Sequence, residues 1–366
     1  MSTAAFKELL EFAAWATEEA DATTLDDFSD LFGEWPSDET NEQLIDVLCR
    51  TMPIAAVAKP TDDHVGRAQQ LLTVRQVAQR TDAWYAETMD LLTASELSQI
   101  FKTGSRTRGL LVMAKSRPLE PRGGSATVPS DNMTAFDWGV RFEPVVKQIY
   151  EARYGSRVAD VGRLYHPTLA RCAASPDGVV VEGSRAGRLI EIKCPVTREP
   201  GLTVPDEYYA QMQQQLEVCD LELCDYVEAK IRAQYSSAVP MLTQGPAQHF
   251  GVIWRLEREV GGVITSRYVY GPLDVEQLVC DDIGPNEMVM ERVPWELMTW
   301  NEIQVQRNRA WWQMIRPKID SFWVDVEEAR RGNFVLPESK VRRAAPPEKC
   351  MIIGLKPKLL QAPSEH

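Results

Sequence analysis

Cys172-Ala-Ala-Ser-Pro-Asp-Gly178 and, a few residues on, Leu189-Ile-Glu-Ile-Lys-Cys-Pro195 decide how this chain folds. Val179 to Glu182 is β-branched and follows a Pro-Asp-Gly turn signal, while Arg188 to Lys193 alternates after a second turn between Gly183 and Gly187. Two short strands joined by a loop are the economical reading. Residues two apart in a strand share a face, so Glu191 and Lys193 project together while Ile190 and Ile192 enter a core. Asp177, at the mouth of the hairpin, falls beside them.

An Asp, a Glu and a Lys in one place suit metal-dependent phosphodiester hydrolysis. That reaction needs charge neutralised on the phosphoryl oxygens, a nucleophile made from water and a stabilised leaving oxygen, and one or two Mg²⁺ ions serve all three. Mg²⁺ keeps several waters and takes only one or two carboxylates from protein. Asp177 and Glu191 suffice as ligands, with the Ile192 carbonyl as a third, and Mn²⁺ is an acceptable substitute. Lys193 would orient the attacking water and help deprotonate it, or balance charge on the phosphate. Taken singly, Pro-Asp-Gly is an ordinary turn and Glu-x-Lys an ordinary solvated face; their combination with Ser175 and the following Cys-Pro is what carries the argument.

The flanks add to it. Phe136 to Tyr150 reads as a helix with Phe142, Val145, Val146, Ile149 and Tyr150 at helical spacing, and Glu143 is expected at its start, just before a first-turn Pro144. There it would reach a metal-bound water or simply favour the helix dipole. Tyr208 to Leu216 reads as a second helix. Its apolar line is Tyr208, Met212 and Leu216, which puts Gln211 and Gln215 on a neighbouring face and Gln213 elsewhere. Glutamines on an exposed helix are ordinarily filler.

In this order, Gly-x-x-x-Glu, Ser-Pro-Asp-Gly, Glu-x-Lys-Cys-Pro and Ala-Gln-x-Gln closely resemble the YqaJ-type viral recombinase exonucleases, the family of lambda exonuclease, within the PD-(D/E)xK superfamily. Asp82-Ala-Trp84 and Leu92-Thr-Ala-Ser-Glu-Leu97 extend the resemblance, which covers roughly residues 80 to 235. It implies that Asp177 and Glu191 bind Mg²⁺, that Lys193 is the catalytic lysine and Glu143 the helical acid. It also implies that Ser95, Ser175 and Gln211 or Gln213 face the 5′-terminal phosphate or the attacked strand. One departure stands out: Thr88 occupies the place of an arginine that grips the terminal phosphate in lambda exonuclease. Lys102, Arg106 and Arg108 are the nearest bases in sequence that could fill in. The partners implied are double-stranded DNA ends, a single-strand-annealing protein and further copies of the chain in a trimeric ring.

The net charge of −13 over 366 residues looks unsuited to DNA, whose affinity for proteins comes from Lys and Arg. Its distribution removes the objection. Residues 1–63 carry fifteen acids against Lys7, Arg50 and Lys59, which leaves a net charge of −1 for the remainder. Within that remainder Lys102, Arg106, Arg108, Lys115, Arg117 and Arg122 face Glu120 alone, a basic patch. There is no apolar run of membrane-spanning length and no basic-then-apolar leader, so no membrane association and an intracellular setting are expected. Seven cysteines without Cys-x-x-Cys spacing suggest neither a disulfide framework nor a zinc site.

The fold expected is α/β, a restriction-endonuclease-like core with a short mixed sheet flanked by helices and an N-terminal helical domain. Residues 1–63 form the acidic helical domain, 64–335 the nuclease domain and 336–366 a basic tail rich in Pro and Lys. Cys224 to Ile231, Phe250 to Leu256 and Arg267 to Tyr270 are expected to extend the sheet, and Trp295 to Glu328 to form one or two helices interrupted at Pro317, with the tryptophans in the core. The activity expected is Mg²⁺-dependent 5′-to-3′ digestion of linear duplex DNA in phage or viral recombination. Two rivals are an endonuclease or RNA-degrading nuclease on the same core, and a catalytically silent module that binds DNA or protein.

Overall fold

A computed structural model describes residues 62–79, 81–117, 127–233 and 249–338. The expected acidic domain and basic tail lie almost wholly outside these residues. Asp62 and Asp63, the last residues of the expected acidic domain, instead open helix α1 (Asp62–Leu71), which continues into the expected nuclease domain.

The core is a seven-stranded mixed sheet. Its central hairpin is β5 (Gly178–Gly183) and β6 (Arg188–Lys193), as the alternation predicted. β2 (Ser156–Ala159) pairs outside β5, and β7 (Leu223–Ala233) lies parallel to β6. Beyond β7 come β10 (Glu287–Gln306), β8 (Phe250–Val260) and the edge strand β9 (Val263–Tyr270), all antiparallel to their neighbours. A separate small sheet joins β1 (Leu92–Thr93), β4 (Cys172–Ala174) and β3 (Leu164–Tyr165). The class is α/β, a mixed sheet flanked by helices, as expected.

Both faces of the hairpin are buried, each by different elements. Ile190 and Ile192 meet Phe142, Val145, Val146, Ile149 and Tyr150 of α4 (Ala135–Tyr154) in one apolar cluster. Val179, Val181 and Leu189 join a second cluster with α5 (Asp206–Cys219) and α6 (Arg309–Arg330). A strand with two covered faces cannot show simple polar alternation, so Glu191 is fully buried although it is a carboxylate. Gly178 has to be glycine: a Cβ there would lie 2.3 Å from Val158 Cγ1.

Three expectations are corrected. Trp295 to Gln306 is strand, not helix; bulges between Val289 and Glu291 and between Leu297 and Thr299 break the period-two pattern that would have revealed it. Pro317 does not interrupt α6, which runs unbroken from Arg309 to Arg330 and buries Trp311, Trp312 and Trp323 in the core, as expected of those tryptophans. Pro144 lies mid-helix. The first turn of α4 belongs to Thr134 and Asp137, which form a reciprocal capping box, so Glu143 is not at a helix start and the dipole reading lapses.

Candidate active site

The C-terminal end of β6 opens into a cleft of about 1060 Å³ lined by Asp177, Glu191, Ile192, Lys193 and Glu143. Strand periodicity sends Glu191 and Lys193 to the α5 side. Three side chains converge on the Glu191 carboxylate: Lys193 Nζ and Gln211 Nε2 (2.7 Å) on Oε1, and Gln215 Nε2 (2.7 Å) on Oε2. Gln211 and Gln215 stand one helical turn apart on α5, so one helix face clamps one carboxylate. Lys193 Nζ also lies 4.6 Å from the centre of the Tyr208 ring.

Asp177 Oδ2 accepts the Ile192 N–H at 2.7 Å, which ties the residue before β5 to the end of β6. Burial, then the neighbouring charges of Glu191 and Glu143, push its carboxyl well above the usual carboxylate range, against the opposing pull of Lys193 and the Ile192 N–H. Burial works against the Lys193 ammonium, yet Glu191 and Asp177 more than offset this and hold it above its ordinary value. Glu143 is oriented by Lys147, which donates to it at 2.8 Å and to Asp160 at 2.7 Å.

The second wall of the cleft carries Ser95 and Ser175. Ser95 sits on a 3₁₀ helix (Ala94–Ile100) whose start is boxed by Thr93 and Glu96, and Ser175 accepts from Trp84 Nε1 at 3.4 Å. Thr88 is also on this wall, but as a structural joint. Its Oγ1 accepts from the fully buried Arg163 at 3.0 Å and its carbonyl accepts from the buried Lys115 at 2.7 Å; the Arg163 guanidinium stacks 4.3 Å from the Trp84 ring centre.

Several expected phosphate contacts lie elsewhere. Arg108 is 3% exposed and bound to Asp325 and Ser321 of α6, where it staples α3 (Arg106–Ser116) to the core. Arg106 donates to the Pro337 carbonyl, and neither it nor Lys102 lines the cleft. With Lys115 also buried in a pair with Glu96, the expected basic patch is partly an internal framework. Gln213 donates to the Gln306 carbonyl and accepts the Asn308 N–H, so it fixes the β10–α6 junction. Nor are the glutamines filler: Gln213, Gln214 and Gln215 are all 0% exposed, each bonded across elements. The cleft adds two residues that sequence reasoning missed: the half-exposed Arg198, and Phe136, 68% exposed at the rim.

The acids gathered here are hard oxygen donors: Asp177 and Glu191 on one hairpin and Glu143 on α4. Such crowding of negative charge around Asp177 fits a divalent cation of the Mg²⁺ kind. Among the described residues no group of three or more His, Cys, Asp or Glu side chains is placed to hold a metal ion by itself.

Residues 83–222 match the YqaJ-like viral recombinase domain. This YqaJ-like region holds Glu143, Asp177, Glu191, Lys193 and the glutamine helix. Uncharacterized protein R354 of Acanthamoeba polyphaga mimivirus is 23% identical over 303 residues, 70% of this chain and 54% of that protein. The chain thus spans about half the length of that curated relative. An alkaline exonuclease from Laribacter hongkongensis superimposes with a TM-score of 0.41 at 21% identity, covering 69% of this chain and 95% of that one. A phage-related exonuclease from Haemophilus somnus 129PT gives 0.39 at 11% identity, covering 66% and 96%. No helix among the described residues is long and apolar enough to cross a membrane.

Proposed function

We propose that this chain is a Mg²⁺-dependent exodeoxyribonuclease that digests linear duplex DNA from the 5′ end, leaving single strand for annealing in viral or phage recombination. The observation that carries the reading is the meeting of Asp177, Glu191, Lys193 and Glu143 at one end of β6, in a cleft roomy enough for a strand. The YqaJ-like match supports the recombination setting.

Asp177, Glu191 and the Ile192 carbonyl would hold the ion. When bound, it would neutralise phosphoryl charge and make hydroxide accessible from water near neutral pH. Lys193 remains an ammonium beside Glu191, so it acts as a donor to the attacked phosphate or water. Gln211 and Gln215 keep the Glu191 carboxylate in one orientation, and Glu143, steadied by Lys147, faces Asp177 as an acceptor for the attacking water. Ser95 and Ser175, which also line the cleft, would receive the strand end.

The test compares 5′-phosphorylated linear duplex, 5′-hydroxyl linear duplex and covalently closed circles, each with Mg²⁺, using wild type and Asp177→Ala. Loss of linear DNA alone, with an inert variant, is the expected result. Cleavage of circles would make the protein an endonuclease, and survival of every substrate would make it a binding module.

A further inference from the structure

Among the described residues, three cations line the cleft: Lys193, the buried Lys115 and Arg198. Arg198 belongs to the segment between β6 and α5, which has no helix or strand of its own. That segment is nevertheless clamped from beneath. Lys193, Glu228 and Asn301 are register partners on the adjacent strands β6, β7 and β10, so their side chains stand in one row on one face of the sheet. Glu228 accepts from Arg198 Nη2, from the Tyr226 hydroxyl at 2.6 Å and from the Gly201 N–H at 2.7 Å, while Asn301 donates to the Gly201 carbonyl.

Glu228 is 0% exposed, and a carboxylate is taken out of water only at a cost. It fixes one loop, and it fixes one cation: Arg198 keeps 45% of its side chain exposed on the cleft while Nη2 is anchored below by Glu228 and Nη1 donates to the neighbouring Glu199 carbonyl at 3.3 Å. Strands lie about 4.8 Å apart, so the anchoring Glu228 is the immediate cross-strand neighbour of Lys193. A planar, always-charged fork held from behind is suited to a phosphate oxygen pair.

We propose that Arg198, latched by the buried Glu228, binds a phosphate of the nucleic-acid strand beside the position attacked at Lys193. It would supply the cation that Thr88 does not and that Lys102, Arg106 and Arg108 are not placed to supply. The proposal rests on the nuclease reading for its substrate, but its test does not require cleavage.

Binding of short duplexes with 5′-phosphate or 5′-hydroxyl ends would be followed by fluorescence anisotropy across a salt series with Ca²⁺ in place of Mg²⁺, for full-length wild type, Arg198→Ala and Arg198→Lys. Loss of one phosphate contact should weaken binding by on the order of tenfold at low salt and lower the slope of log K against log salt by about one, with Arg198→Lys recovering the slope but not the full affinity. A larger loss on the phosphorylated duplex assigns the terminal phosphate, and equal loss assigns an internal one; both support the proposal. Unchanged affinity and slope in Arg198→Ala overturn it. A wild type that binds duplex but never cuts would refute the nuclease reading while leaving this test intact.

Discussion

Gln215 Nε2 donates to Glu191 Oε2 across 2.7 Å, in a contact that is wholly buried. Side chains that orient a metal-binding carboxylate from behind typically change metal affinity or activity by about 10–100-fold when removed. Gln215→Leu keeps the volume and removes the donor. Its activity is expected to fall by roughly that factor at low Mg²⁺ and to recover partly as Mg²⁺ is raised, which a Mg²⁺ titration of initial rates checks. Equal loss at every Mg²⁺ concentration would mean that Gln215 does not act through the ion.

Asp177→Asn should abolish cleavage and yet stabilise the metal-free protein. Burial and the neighbouring carboxylates hold the native carboxyl above its unfolded value, so the folded state binds that proton more tightly. The wild type without metal therefore gains stability as pH falls from the native pKa toward the ordinary carboxylate range, and it carries the cost of the ionised form above it. Asn removes both the cost and the slope. Thermal melts in EDTA should show the variant higher by about a few degrees near neutral pH. Added Mg²⁺ should raise the wild-type melt only.

Thr88→Arg, which writes into this chain the arginine expected there from the resemblance to lambda exonuclease, is expected to fail. Thr88 Oγ1 already accepts from Arg163, and Lys115 bonds to the Thr88 carbonyl. A third cation would meet two buried ones and leave an Arg163 donor unmet, a cost of about 1–3 kcal/mol for the lost partner alone. Urea denaturation should register that loss, with no gain in preference for phosphorylated ends. Arg163→Met in the same chain should recover part of the stability, and a double-mutant cycle would measure the coupling.

How far the sequence could be read follows from the range of the forces involved. The Asp177 hairpin was legible because turn chemistry and a two-residue period are local. The glutamines were not: whether a helix is exposed depends on what covers it, and Gln214 is buried because the remote Leu92 and Ala173 carbonyls accept from it. Arg108 misled for the same reason, since Asp325, its partner, lies 217 residues away. Glu143 lines the cleft but was misplaced along its helix, because the true cap, Thr134 with Asp137, starts the helix eight residues earlier. In β10 the bulges hid the strand. Each miss lies where distant residues or an irregular backbone outweigh local pattern.

Strand β6 has one further consequence. Its Glu191 and Lys193 face α5 while Ile190 and Ile192 face α4, so a shift of one residue against β5 or β7 would exchange the two sets. Such a slipped molecule would bury two charges under α4 and offer isoleucine to the cleft. Misregistered protein would therefore be both unstable and inert, with no partly active form between. In a refolded preparation, specific activity would then count native molecules directly and serve as a folding assay in its own right.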